Sequence, residues 1–330
     1  MQHLKRLTTG RGIIQHAKHD VPDPSFGYSI DDQARALISC LWYEQRFGGA
    51  EVKKLISVYF KFLERAQTDS GDFHNFYDIN GVPLDEKGSA DSFSRTLWAL
   101  AEVIVGSTDQ NLRRTAKRLW DKANIKQHLD HQSMRTRAYL ALAHARLNDR
   151  PGSTLWANEL IQMLRKNTTN GWYWFEHTLT YCNAMPVYAL ACAYEVTKNP
   201  QYLEEAQKTF TWLNRVSRID GTVAPIGQNG WFHKTAEKAH YDQQPVDAAK
   251  MVMASAMLYQ ITDNNQYLET ALEWMRWYDG ENTQKRPLIN QKTGGIYDGL
   301  TPTGVNSNQG AESIIAFLLA YLSLTKTIEK

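Results

Sequence analysis

Six times along the chain, a short polar opening runs into a stretch of small and apolar residues that leaves no hydrophilic face. The first is Gly27-Tyr28-Ser29-Ile30-Asp31-Asp32-Gln33-Ala34-Arg35-Ala36-Leu37, which continues to Tyr43 with Arg35 and Ser39 as its main polar interruptions. Others open at Asp91, Ser133, Tyr181, Gln244 and Asn308. Their spacing of roughly 40 to 65 residues marks a repeat architecture. A helix that is apolar all round belongs in an interior, so these stretches predict six inner helices. Between them, 51–67, 108–124, 153–166, 200–216 and 264–278 carry charges on one face and Leu, Phe, Trp or Tyr on the other. That is the pattern of surface helices. Residues 1–9 supply a sixth outer helix that closes a ring against the C-terminal one. Six inner helices within six outer ones predict an all-α, (α/α)6 toroid forming one domain over residues 1–330, and no convincing strand run interrupts the alternation.

The connections are unequal. Turns from inner to outer helices are short, as at Phe47-Gly48-Gly49 or Lys198-Asn199, whereas 68–90, 167–178, 217–242 and 279–306 are long. Long structured loops in a compact domain usually carry function. All of them lead into inner-helix N-termini, where the helix dipole favours bound oxygens. One rim of the ring is therefore elaborated and the other plain.

At 42% hydrophobic residues the chain can bury a large core, and a net charge of +2 without any Lys/Arg block excludes nucleic acid or an anionic membrane as the main partner. Cys40, Cys182 and Cys192 fall in apolar helical runs without CxxC spacing. They read as small buried hydrophobes in a reducing compartment. The first residues lack the apolar core of a signal peptide and no run approaches a membrane span, so a cytoplasmic location is expected.

The long loops repeat a glycine followed by aromatics, as in Gly71-Asp72-Phe73, Gly171-Trp172-Tyr173-Trp174, Gly230-Trp231-Phe232 and Gly295-Ile296-Tyr297. Such rings either pin the loops to the ring of helices or offer faces to sugar C–H surfaces. Trp172, Trp174, Trp231 and Tyr297 are the candidates for the second role. The rim also collects the carboxyl groups of Asp31, Asp32, Asp91, Glu176, Asp247 and Glu312. Glycoside hydrolysis needs two: an acid for the leaving oxygen and a base or nucleophile across the ring. Asp91, four residues before Arg95, reads as ion-paired and suited to a base. Asp247, beside Pro245 and Val246 and followed by an apolar run, reads as desolvated and suited to an acid, and Glu312 is similar. Ser29 and Asp32 fit a capping box, and Asp31 and Arg35 share one face. His74, His177, His233 and His240 are scattered and show no metal-ligand spacing, and no P-loop, GxGxxG or GxSxG is present, so neither metal nor cofactor is expected.

The chain as a whole resembles the (α/α)6-toroid carbohydrate-active proteins: inverting glycoside hydrolases, unsaturated-uronyl hydrolases, some polysaccharide lyases and the N-acylglucosamine 2-epimerase group. The Gly27–Leu37 stretch looks like the α-toroid domains found alone or fused behind bacterial glycosyltransferases. This resemblance implies a carbohydrate context and carries no assignment of catalytic residues, and the paired catalytic histidines of the epimerases cannot be placed here. The expectation is an inverting glycoside hydrolase acting on an oligosaccharide by carboxylate general acid/base catalysis. Asp247 or Glu312 is the expected acid and Asp32 or Asp91 the base. Tyr28, Asp31, Arg35, Arg95, Trp172, Trp174, Glu176, Trp231, Gln243, Gln244 and Tyr297 are expected to bind substrate. The alternatives are a non-catalytic sugar-binding domain partnering a glycosyltransferase and, more weakly, a sugar epimerase.

Overall fold

The computed structural model describes residues 1–125 and 133–329. Its inner helices are α2 (Ile30–Phe47), α4 (Ala90–Gly106), α6 (Met134–Arg146), α8 (Met185–Thr197), α10 (Pro245–Thr262) and α12 (Ala311–Ile328). The outer ones are α1 (Gln2–Leu7), α3 (Ala50–Ala66), α5 (Gln110–Lys122), α7 (Arg150–Asn167), α9 (Pro200–Val216) and α11 (Asn265–Arg276). Each inner helix packs on the next, and α12 packs back on α2, so the inner ring closes. Each outer helix lies against the inner helix that precedes it, with short α1 against α12. The architecture is the expected (α/α)6 toroid.

Local chemistry explains where the helices begin. Hydroxyls of Ser29, Ser89 and Ser133 accept backbone N–H bonds at the starts of α2, α4 and α6. Asp109, Asp149, Asn199 and Asn264 do the same for α5, α7, α9 and α11. Such caps each stabilise a helix by about 1 kcal/mol. From Ile30 to Leu41 every residue except Asp31 is buried. Alanines at 36, 99, 141, 189, 249 and 320 are almost wholly enclosed and permit the close approach of neighbouring inner helices.

Two expectations need correction. Twelve strands of two or three residues pair into six two-stranded sheets in the connecting segments, among the described residues. Segments this short leave no period-two signature in a sequence. One of these sheets joins Tyr28-Ser29 to Phe76-Tyr77 and fastens the 68–90 loop beside the start of α2. Gly27, at φ +59°, precedes it where a side chain would collide with the Tyr77 carbonyl, a conformation and a closeness that glycine accommodates. In addition, α12 is long and apolar enough to cross a membrane by length and composition, but two-thirds of it is buried as the helix that closes the ring.

Candidate active site

Helix register builds the site. The second residues of α2, α4, α6 and α12 are Asp31, Asp91, Arg135 and Glu312; the sixth residues of the first three are Arg35, Arg95 and Tyr139. These positions lie one turn apart on one helix face at the elaborated rim. There a cavity of about 300 Å³ is lined by Asp31, Asp32, Arg35, Asp91, Arg95 and Glu312, with Tyr181, Asn75, Phe76, Gln15, His16 and the serines 29, 89 and 92.

Arg35 is its hub. It is buried, donates to Glu312 Oε2 at 2.6 Å and Asp32 Oδ1 at 2.9 Å, and sits 3.0 Å from Asp31. Asp31 is also paired with Arg95, whose guanidinium stacks 4.9 Å over the Tyr139 ring. Burial pushes the Asp31 carboxyl up, but Arg95 and Arg35 outweigh it and hold the group below its ordinary range. Asp32 differs. Its Oδ2 accepts the Ser29 hydroxyl at 2.7 Å, and burial, reinforced by the neighbouring Asp31 and Glu312 charges, raises it to about 6 against the pull of Arg35. The Ser29–Asp32 cap thus forms, with the carboxylate taking the hydroxyl and not a backbone amide.

The expected Asp91–Arg95 pair does not form as drawn from sequence. Arg95 reaches sideways to Asp31 on the adjacent helix, and Asp91 is held instead by Ser133 (2.8 Å), Thr136 (2.6 Å), Arg135 (3.2 Å) and Tyr181 (3.1 Å). In a closely packed ring, side chains on neighbouring helices compete with partners four residues along the same helix. Burial raises the Asp91 pKa, and Arg95, Thr136 and Arg135 more than reverse that. Glu176 joins the edge of this network, accepting the Met134 N–H at 2.9 Å and lying 3.5 Å from Arg135; burial raises its pKa.

Several expected site residues lie elsewhere. Asp247 is buried at a separate, much smaller cavity beside Asn183, Met251 and Trp274. Its Oδ1 accepts from Asn183 N and Nδ2 at 3.2 and 3.3 Å, its Oδ2 has no partner, and burial raises it to about 7. Trp172 and Trp174 are buried against Trp212 of α9, with Trp172 also on Phe232, so they form a core for their loop and not a sugar platform. Tyr28 is buried on Phe62, its hydroxyl bonded to Thr9. Gln243 is fully buried, bonding the His240 carbonyl, Thr283 and Trp277. Gln244 accepts a bond from Gln228, and Tyr297 one from Asn290. Trp231 is exposed but does not line the cavity. The aromatic groups at the cavity are Phe76, Tyr181 and His16; these, the polar Gln15, Asn75, Ser89 and Ser92, and Arg135 beside the cavity were not among the expected site residues. Arg135 had a signal: it holds the same helix position as Asp31 and Asp91. Tyr181 opens one of the six repeated stretches and Phe76 ends an aromatic loop run, but both lie outside any regular helix, so no register showed which way their rings face; His16 had no signal.

No family model matches this sequence, and no curated protein matches it either. Solved structures do. A cellobiose 2-epimerase from Bacillus thermoamylovorans superposes with a TM-score of 0.77 at 13% identity, covering 99% of this chain and 95% of the other. A sugar epimerase from a ruminal bacterium gives 0.75 at 14% identity, covering 98% and 94%. A cellulase of C. cellulolyticium in complex with cellobiose gives 0.64 at 12%, covering 97% and 88%. The fold is that of carbohydrate-active (α/α)6 toroids. At these identities the likeness fixes the fold alone, so the reaction must be argued from this chain's own groups.

Proposed function

We propose that the chain is an inverting glycoside hydrolase with Asp32 as general acid and Glu312 as general base. This reverses the roles expected from sequence. The observation that carries it is the arrangement of those two carboxyl groups on either side of one guanidinium. Asp32 is buried with its pKa raised to about 6, while Glu312 has a side chain 43% exposed and one oxygen free of the Arg35 bond. A buried carboxyl that holds its proton more tightly suits the acid, and an exposed one with an oxygen open to solvent suits the base. Two N–H···O bonds to one guanidinium put the bridged oxygens at most about 8 Å apart, a span within the range of inverting pairs; because the guanidinium fills the line between them, substrate and water would sit on its cavity side, against the second Glu312 oxygen. In this mechanism Asp32 gives its proton to the departing glycosidic oxygen. Glu312 takes a proton from the water that attacks the anomeric carbon on the opposite face. Asp91, saturated by four donors, holds the rim and does not react.

The test is hydrolysis of an oligosaccharide panel by the wild type, Asp32→Asn and Glu312→Gln, with the anomer of the product followed by NMR. Each substitution is expected to lower kcat by about 10²–10⁴-fold, the usual worth of general acid–base catalysis, with the product anomer inverted. Full turnover in either variant overturns the assignment. Isotope exchange from deuterated water into a free sugar without hydrolysis moves the reading to an epimerase.

A further inference from the structure

We propose that the cavity is a pocket for a neutral sugar at the end of a chain, and neither a groove for the middle of a polysaccharide nor a site for acidic sugars. The argument begins with its floor. Arg95 lies over Tyr139, which is fully buried and stacked on Trp98. The helix segments below, Ala99–Ala101 and Ala138–Ala141, expose nothing. No chain can thread through the ring. Among the described residues the walls come from three separate segments: His16 near the N-terminus, Phe76 in the 68–90 loop and Tyr181 before α8. A volume of about 300 Å³ is at the low end for small-molecule sites, which run from roughly 300 to 1,000 Å³, and suits one or two sugar rings.

Charge then selects among sugars. Every guanidinium at the site is already engaged: Arg35 by Asp31, Asp32 and Glu312, Arg95 by Asp31, and Arg135 by Asp91 and Glu176. Four carboxyl groups line the cavity against two guanidiniums. A uronate or phosphate would bring another anion to a place where, among the described residues, both guanidiniums lining the cavity are already paired and His16 is the one other basic group, and like charges brought together are penalised. Hydroxyls fit better. Asp31 Oδ1 and Asn75 Oδ1 are buried acceptors without partners, and Arg95 Nε is a buried donor without one. A hydroxyl can donate and accept, so it can answer both kinds. Phe76, an exposed ring at the mouth, offers an apolar face.

Binding does not depend on the hydrolase reading, but cleavage from a chain end rests on it. Calorimetry would use the wild-type protein with glucose, mannose and galactose, their thio-linked di- and tetrasaccharides, glucuronate, galacturonate and glucose 6-phosphate. The expected result is binding in at least one neutral series, with the tetrasaccharide within about threefold of the disaccharide and every acidic sugar at least tenfold weaker. Phe76→Ala should weaken the neutral ligand at least fivefold at an unchanged Tm. Affinity rising tenfold or more from di- to tetrasaccharide overturns the pocket. So does preference for an acidic sugar, failure of every neutral sugar to bind, or wild-type affinity in Phe76→Ala. Products are read separately on hydrolysable oligosaccharides. Internal cleavage overturns the pocket and leaves the hydrolase, whereas neutral-sugar binding without turnover overturns the hydrolase and leaves the pocket.

Discussion

Replacing Asp247 with asparagine separates a buried structural carboxyl from a catalytic one. Asp247 keeps one oxygen on Asn183 and leaves the other buried without a partner. Burial, with a further push from Glu312, raises its pKa to about 7 against the Asn183 N–H bond. The folded protein therefore holds this proton up to about pH 7, while the unfolded chain releases it near 3.9. Between those values the folded state binds more protons, so stability falls as pH rises. At 1.36 kcal/mol per unit over about three units, the loss between pH 4 and pH 7 is roughly 4 kcal/mol, constant above that. Asparagine can still accept from Asn183 and cannot ionise. The variant should lie within about 1 kcal/mol of wild type at pH 5 and be roughly 3 kcal/mol more stable at pH 8. Urea unfolding of both proteins at pH 5, 6, 7 and 8 reads the difference, in which the parallel titration of Asp32 cancels. Parallel stability curves, or a variant less stable at pH 8, would refute this account of the carboxyl. Because Asp247 lies off the main cavity, activity should survive; its loss by orders of magnitude in a folded variant would return Asp247 to the role of acid.

Other perturbations follow from the same network. Arg35→Met strips a buried cation from three carboxyls and should cost about 3–5 kcal/mol in chemical denaturation, with Arg35→Lys recovering only part because an ammonium lacks the guanidinium fork. Lys250, fully buried with only the Met253 sulfur as a bonding partner among the described residues, has its pKa lowered to about 8 by burial. The unfolded chain keeps that proton to about 10.4, so stability rises between those values, and Lys250→Met should be roughly 3 kcal/mol more stable at pH 7 with the gap closing toward pH 10. Trp174→Ala should lose about 3–5 kcal/mol of stability while the folded variant binds sugar as wild type does. If Asp32 is the acid, kcat/KM should fall about tenfold per unit above roughly pH 6; a flat profile to pH 8 would exclude it.

The ring was legible in the sequence because its signals are redundant. All-round apolarity marks the inner helices, amphipathic spacing with Asp or Asn caps marks the outer ones, and each signal repeats around the ring. The rim was legible only where helix register extends to it. Asp31, Arg35 and Glu312 sit in the first two turns of their helices, at positions that can be counted from the apolar run. Trp172 and Trp174 lie in a loop without a period, and their direction was decided by Trp212 on α9, 38 residues beyond the second of them. Spacing along one helix also misassigned Arg95, since the residue four positions back was not the partner that packing brought nearest.

That last failure explains how so many charges can be buried here. Within one helix, Asp31 and Arg35 would be an ordinary surface pair worth a few tenths of a kcal/mol. In the ring, each charged group is answered from another helix as well: Asp31 by Arg95, Asp91 by Arg135, and Arg35 by Glu312, 277 residues away. Three inner helices in succession present acid, acid and base at their second positions, and α12 adds an acid where the circle closes on α2. Burial raises the cost of any unpaired member, so the network demands closure. Glu312 is the group that closure supplies. A break between α12 and α2 would therefore remove the base and leave Arg35 short of a partner in one step, which ties the proposed chemistry to the completeness of the ring.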